Sequence, residues 1–273
     1  MIKPAADRWT ETAPAKINLA LHVRGRRADG RHDLETIFAF CTDGDRLSAE
    51  PGDNVSLSIS GPFASDLEGG EGNLVVKAAR RLQEAAGVKS GANLHLVKNL
   101  PVASGIGGGS ADAAATLRLL TSMWNVDPNL AAELAPTIGS DVPACLLSMT
   151  SRGEGAGDRL EIVDAGVAAT AVLLVNPRVA LSTREVFAGW DSVDRGALTN
   201  WREGRNDLEP PARALVPAIG EVLDWLAEQP GCIFSRMSGS GATCFGLFAD
   251  EVERDAAAAA CPSEWWHLAS VLR

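Results

Sequence analysis

The stretch richest in possible chemistry is Pro101-Val-Ala-Ser-Gly-Ile-Gly-Gly-Gly-Ser-Ala111, with glycines at Gly105, Gly107, Gly108 and Gly109. Without a Cβ, such a backbone reaches left-handed conformations and can come close to a ligand. Ahead of it, Ala92 to Leu100 alternates like a short strand. Behind it, Ala113, Leu117, Leu120 and Trp124 recur at helical spacing, and alanines fill the first turns. Strand, glycine loop and helix in that order form a phosphate cradle, because the helix's first N–H groups lack intrahelical acceptors and its dipole favours an anion. The plain alternative is a flexible glycine loop before a surface helix. Two commoner phosphate loops are excluded by residue type. A Walker loop ends in Lys and then Ser or Thr, and no Lys lies between Lys98 and Arg118. The dinucleotide fingerprint, begun at Gly105 and Gly107, meets Ser110 where its third glycine belongs.

Other residues could serve such a cradle. In Thr12-Ala-Pro-Ala-Lys-Ile-Asn-Leu-Ala-Leu-His-Val-Arg24, the run Ile17 to Val23 reads as a strand, with Lys16 and Asn18 on one side of it. A lone Lys there is ordinarily a solvated charge. Arg26 to Asp33 reads as a basic loop that could hold an anionic or aromatic group, or simply a solvated turn. Asn73 reads as the N-cap of a helix carrying Leu74, Ala78, Leu82 and Ala85. Asp141, in Ile138-Gly-Ser-Asp-Val-Pro-Ala144, falls just before a helix that Pro143 suits, where a turn or cap role is ordinary. Arg236-Met-Ser-Gly-Ser-Gly-Ala-Thr243 is a second glycine loop, feeding a strand from Cys244 to Phe248.

The elements that must position these residues alternate in type. Strands are expected over Leu34 to Cys41 and Asn54 to Ile59, separated by turn signals at Asp43-Gly-Asp45 and Pro51-Gly-Asp53. Leu130 to Ala135 reads as helix, Arg152 to Asp158 as a glycine-rich turn, and Ala171 to Val175 as strand. A helix near Thr183 to Ala188 precedes a polar, tryptophan-bearing stretch from Asp191 to Arg205. A long helix then carries Leu215, Ile219, Val222 and Leu226 on one face, and a last helix covers Asp250 to Ala260 before a short terminal segment. The pattern implies an α+β or α/β chain with a boundary near residue 165. Its 273 residues suffice for two domains.

Composition narrows the classes. Apolar runs are too short to span a bilayer, and the N-terminus lacks a basic segment followed by an apolar one, so a cytoplasmic protein without a membrane partner is expected. A net charge of −10 argues against nucleic acid as a partner but leaves room for a local basic pocket. Five scattered cysteines and four histidines show no metal-ligand spacing and no disulfide framework.

Three separated motifs resemble the signatures of the GHMP small-molecule kinases: Pro14-Ala-Lys16-Ile-Asn18-Leu, Pro101 to Ala111, and Met237-Ser-Gly-Ser-Gly-Ala-Thr243. Within that superfamily, Ala28-Asp-Gly-Arg-His32, Gly139-Ser-Asp141-Val-Pro143, Asn206-Asp-Leu-Glu209 and Arg236-Met-Ser-Gly-Ser-Gly241 look like the 4-diphosphocytidyl-2-C-methyl-D-erythritol kinases. The motifs keep their order from about Ala13 to Phe248. The resemblance implies an α+β, two-domain fold. Residues 1–165 would form a ribosomal-protein-S5-like nucleotide-binding and catalytic domain, and 166–273 a ferredoxin-like substrate-side domain, with the active site in the cleft between them. It implies ATP-dependent phosphorylation of the substrate's 2-hydroxyl, with Mg2+, in the non-mevalonate route to isoprenoids, by a monomer or weak homodimer.

The resemblance also implies roles. Asp141 would be the general base. Lys16 would keep Asp141 ionised, stabilise the nascent alkoxide, or both. Pro101, Val102, Ala103, Ser104, Gly105, Ile106, Gly107, Gly108, Gly109, Ser110 and Ala111 would wrap the ATP phosphates, with the Ser110 hydroxyl within reach of phosphate or magnesium. No other metal ligand is named. Asn73 and Lys98 match adenine-side positions. His32 would read the cytosine edge, Asn18 and Thr183 would approach the methylerythritol diphosphate, and Ser238 and Gly239 belong to the substrate side. Where relatives place Tyr before His32, this chain has Arg31 and no Tyr at all, so the base is expected between Arg31 and Phe187. A kinase of another small alcohol is the nearest rival, disfavoured by the Asp-Gly-Arg-His32 loop. A ligand-binding relative without turnover is disfavoured by the Lys16 and Asp141 pair.

Overall fold

The computed structural model describes residues 9–273. The reading of the N-terminus as free of a targeting segment falls in part on residues 1–8, outside the described residues. The chain forms two compact units. One takes the chain up to Ala15 with Asp43–Val102 and Gly108–Leu147, and the other takes Lys16–Thr42, Ala103–Gly107 and Ser148–Arg273. Strands β1 (Trp9–Arg26) and β2 (His32–Gly52) contribute to both. The expected basic loop between them is a tight turn, in which Arg27 N–H donates to Arg31 O at 2.8 Å and Gly30 takes a φ of +84°.

β2 corrects the turn expected at 43–45, since the strand runs through it to Gly52, while the chain bends at Asp53 and Asn54, beside the turn expected at 51–53. Gly44 is there for closeness, not reversal: a Cβ on it would lie 2.0 Å from Ala13 O. Asp45 is buried and accepts from the Asn99 and Leu100 N–H groups at 2.6 and 2.9 Å. Glycine and aspartate signal a turn only when solvent surrounds them.

In the first unit, β3 (Ser56–Ser60) and β4 (Gly91–Val97) pair in parallel, joined by the crossover helix α1 (Leu74–Ala86). β4 also pairs antiparallel with Arg46–Gly52 of β2. The expected cap holds, with Asn73 accepting from Val75 N–H at 2.9 Å, and Gly87 ends α1 at φ +63°. Helix α2 (Gly108–Trp124) is buried almost all round from Ala111 to Thr121, as an alanine-rich core helix should be. Helices α3 (Pro128–Ile138) and α4 (Val142–Leu147) complete this unit.

In the second unit, Leu34–Phe38 of β2 pairs with β5 (Ser151–Gly155), and β5 with β6 (Arg159–Ile162), both antiparallel. β5 takes the first half of the turn expected at 152–158 into strand, and the turn itself is confined to 156–158. Gly153 is a strand glycine that leaves room for Phe38, whose ring would lie 2.6 Å from a Cβ. The rest follows a β-α-β-β-α-β course: β7 (Ala171–Asn176), α5 (Thr183–Ala188), α6 (Glu209–Leu215), α7 (Ala218–Glu228), β8 (Cys232–Met237), β9 (Cys244–Phe248), α8 (Glu251–Ala260) and β10 (Trp266–Val271). The sheet order β10-β7-β9-β8, antiparallel throughout, is ferredoxin-like. Its core gathers Leu173, Val175, Val186, Ile219, Val222, Leu226 and Phe248. The expected long helix is two helices, because Pro217 denies the backbone a donor and Val216 leaves helical geometry at φ −132°, ψ 87°. β8, β10 and β6 were not anticipated from the sequence.

Candidate active site

The glycine stretch is anchored by burial at alternate residues: Ser104 and Ile106 are buried, while Val102 and Gly109 face outward. Between them the backbone turns through left-handed geometry at Ala103 (φ 51°), Gly105 (φ 79°) and Gly107 (φ 66°). In the second unit this turn lies backbone to backbone against the other glycine loop. Ser238 Oγ donates to Gly105 O at 3.0 Å, and Thr243 N–H donates to Ser104 O at 3.1 Å. A Cβ on Gly105 would meet Ser238 O at 2.5 Å, and one on Gly239 would meet Gly105 O at 2.8 Å. Glycine at both places is what lets the loops touch.

β1 delivers the charged group. Lys16 is 3% exposed, its N–H donates to Ile106 O at 3.0 Å, and its ammonium donates to Asn18 Oδ1 at 2.9 Å while lying 5.3 Å from the centre of the Phe38 ring. Asn18 is fixed in turn: its Nδ2 donates to Thr36 Oγ1 at 2.8 Å, its N–H donates to Ser238 Oγ at 3.1 Å, and Thr36 donates to Ala20 O at 2.6 Å. The solvated-charge alternative for Lys16 is thereby excluded. A buried ammonium, aligned by an amide and tied by its own backbone to the glycine stretch, is built to sit against negative charge.

His32 opens β2 and is half-buried. The Phe187 ring of α5 stacks on it at 4.7 Å, and the edge of Trp190 meets it at 5.7 Å. Burial, and then the Arg26 charge, lower the His32 pKa, so its imidazole is neutral at pH 7 and offers one donor and one acceptor nitrogen. Arg31, expected to share a base with Phe187, commits its guanidinium to Asp29 at 3.0 Å and is exposed. Thr183 and Ser240 share a hydrogen bond of 2.9 Å, so the start of α5 and the second glycine loop meet in this unit.

In the first unit, the N-terminal turn of α2 lies beside the Gly139–Asp141 turn, since a Cβ on Gly139 would be 3.9 Å from Ser110 Oγ. Asp141 is half-buried, and its carbonyl accepts from Cys145 N–H at 3.0 Å as α4 begins. Asn73 caps α1 and also donates to Glu68 O at 3.0 Å. Lys98 is 1% exposed and its ammonium is already held by Asp45 at 2.5 Å and Asp112 at 2.7 Å. Two of the three N–H donors of that ammonium are thus spent on carboxylates. Burial opposes the Lys98 charge, and the two carboxylates outweigh it and raise its pKa. Burial pushes Asp112 up to about 8, Lys98 pulls against it, and Asp45 adds to it.

Four positioning groups escaped sequence reasoning. Thr36 and Asp112 are polar residues beside apolar ones, which was their only signal, and Asp45 read as part of a turn. Asn206 stood inside a quoted motif without a role. Its Nδ2 donates to Met237 O and Gly239 O, both at 2.8 Å, while Asp207 accepts from Val23 N–H at 2.8 Å, strapping β1 to the second glycine loop. Below them Arg236, its pKa lowered by burial to about 10, donates to the carbonyls of Leu19, Trp201 and Gly204.

Two family models match in order: "GHMP kinases N terminal domain" over residues 73–149 and "GHMP kinases C terminal" over residues 187–267. The chain is 56% identical to the 4-diphosphocytidyl-2-C-methyl-D-erythritol kinase of Rhizorhabdus wittichii, covering 97% of this chain and 94% of that one. It is 49% identical to the enzyme of the same name from Novosphingobium aromaticivorans, covering 96% and 92%. A crystal structure of a 4-(cytidine 5'-diphospho)-2C-methyl-D-erythritol kinase superposes with a TM-score of 0.84 at 33% identity, covering 96% of this chain and 98% of that one. Alike over nearly their whole length in sequence and fold, these proteins and this chain share one family: the chain belongs to the GHMP kinases, among the 4-diphosphocytidyl-2-C-methyl-D-erythritol kinases.

Proposed function

We propose that the chain transfers the γ-phosphoryl group of ATP to the 2-hydroxyl of 4-diphosphocytidyl-2-C-methyl-D-erythritol, a step toward isoprenoid precursors. The observation that carries the mechanism is Lys16, a buried ammonium whose backbone is bonded to the glycine stretch. Asp141 accepts the hydroxyl proton, the alkoxide oxygen bonds to the γ-phosphorus, the bond to the β-phosphate bridging oxygen breaks, and ADP leaves. Lys16 stabilises the nascent alkoxide. Backbone groups of Pro101 to Ala111 hold the phosphates, with Asn73 on the adenine side. Asn18, Thr183, Ser238 and Gly239 serve the alcohol, and His32 reads the cytosine edge beside Phe187 and Arg31.

Magnesium accompanying the nucleotide would be held mainly through phosphate oxygens and water. The hydroxyl of Ser110, beside the side-chain-free Gly139, fits as the protein group nearest to hand. Held there, the ion would supply positive charge against the transferring oxygens. The two family domains divide near residue 165; the matched N-terminal stretch ending at residue 149 and the C-terminal one beginning at 187 support this. Among the described residues no helix is long and apolar enough to cross a membrane. The enzyme works in the cytoplasm on a small molecule, not on nucleic acid, as a monomer or weak homodimer.

The test is a coupled ADP-release assay with ATP, magnesium and the diphosphocytidyl alcohol, run beside Asp141→Asn. Turnover by the parent with a loss of roughly a hundredfold or more in the variant is expected. Well-folded parent protein without turnover would overturn the substrate, and an unimpaired variant would remove Asp141 as base.

A further inference from the structure

The first unit contains a charge cluster that phosphoryl transfer does not require by itself. Lys98, Asp45 and Asp112 are 1%, 0% and 2% exposed, and one ammonium faces two carboxylates at 2.5 and 2.7 Å. Burying three ionisable groups is costly, and replacing such a cluster with apolar side chains commonly leaves a protein as stable or more so. Stability alone is therefore a poor reason for it. Moreover, Asp112 Oδ1 is buried with no hydrogen-bond partner among the described residues. What the cluster does have is a position. Asp45 reaches, through its other oxygen, the N–H groups of Asn99 and Leu100, immediately before Pro101. Asp112 stands in the second turn of α2, immediately after Ala111, and a Cβ on Gly108 would come within 3.0 Å of the Lys98 ammonium. The ammonium thus joins the residues just before the glycine stretch to those just after it. Nearby cations are engaged elsewhere: Lys77 and Arg81 of α1 donate to Ile138 O and Thr137 Oγ1, and Arg118 of α2 itself to Glu11 and Cys145 O.

We propose that Lys98, with Asp45 and Asp112, is a positioning clamp for ATP, fixing the spacing between the two flanks of the glycine stretch so that its N–H groups meet the phosphates. Lys98 then acts on the nucleotide through the loop, without touching it. The inference rests on the kinase reading for its ligand, and it concerns ATP affinity alone.

The experiment measures MgATP binding to the full chain by calorimetry, without the alcohol, for the parent, Lys98→Met and Asp112→Asn. Circular dichroism and melting temperature are followed alongside. Folded Lys98→Met is expected to bind MgATP roughly tenfold or more weakly, and Asp112→Asn, which keeps an acceptor for Lys98, about threefold more weakly. In turnover, the KM for the alcohol is expected to stay within about twofold of the parent for both. If Lys98→Met does not fold, the near-isosteric Asp112→Asn decides. A lowered melting temperature with unchanged MgATP affinity means a merely structural cluster and overturns the clamp. Equal losses for ATP and the alcohol overturn it as well, and so does a parent that does not bind MgATP. A parent that binds MgATP but does not turn over the diphosphocytidyl alcohol defeats the substrate reading, and the affinity comparison still decides the clamp.

Discussion

His32 and His22 are both held toward neutrality. Burial and Arg26 lower the His32 pKa; burial and the Arg205 charge lower that of His22, against the Gly196 carbonyl. The His22 ring faces Gly196 O at 3.0 Å through Nδ1 and receives Arg205 N–H at 3.3 Å through Nε2, a pairing that only the neutral tautomer satisfies. The unfolded chain takes up these protons near pH 6.5 and the folded chain only at lower pH, so stability rises with pH across that window. The melting temperature is therefore expected to fall as pH drops from about 6.5 through the lowered folded values, and His22→Gln to flatten part of that slope. A slope unchanged in the variant would exclude His22. For the base, Phe187→Leu should raise the KM for the diphosphocytidyl alcohol by about threefold to tenfold with little change in kcat, the worth of an aromatic contact. Arg31→Ala should raise it less, because Asp29 already engages that guanidinium. No change with Arg31→Ala would count against a sandwich.

Among the elements, the two glycine loops form one device. Gly105→Ala places a Cβ 2.5 Å from Ser238 O, and Gly239→Ala places one 2.8 Å from Gly105 O, both at positive φ. Each should lower kcat/KM by roughly tenfold or more in folded protein, and the double variant should lose less than the sum, since both substitutions break one contact. Full additivity in a double-mutant cycle would refute the coupling. Asn73→Ala should cost about 1 kcal/mol of stability for the lost cap, measured by denaturant unfolding. A KM for ATP that also rises would add a nucleotide role to the cap. Legibility at this scale followed local physics. The helices α1, α5 and α8 were readable because caps and 3.6-residue spacing are local signals. The continuation of β2 past Cys41 was not, because the reason for Gly44 is a carbonyl of β1 and the reason for Asp45 is two N–H groups more than fifty residues away. The break at Pro217 was readable and the apolar face concealed it. Lys16, His32 and the glycine stretch were visible as types, whereas Asn206 and Thr36, which hold them in place, were not, because their partners are main-chain groups and side chains that only folding brings near.

For the whole molecule, a nucleotide site that forms only in the folded state must stabilise that state by mass action. MgATP at a hundred times its Kd should add about 2.7 kcal/mol and raise the melting temperature by several degrees, and the nonhydrolysable analogue should do the same. A melting temperature indifferent to nucleotide would contradict the ATP site altogether. The overall class was legible because alternating strands and helices survive any error in single boundaries, while β8 and β10 entered the sheet through pairing that no local pattern announces. One consequence reaches into how the protein is made. Gly105 O waits for a hydroxyl 133 residues further along the chain. At ordinary ribosomal rates the glycine stretch therefore stands without that partner for between roughly 7 and 27 s. Through that interval the nascent chain carries a turn whose geometry depends on residues not yet made, so premature termination anywhere before Ser238 would release a polypeptide with the residues of the glycine stretch but without the contact that holds its shape.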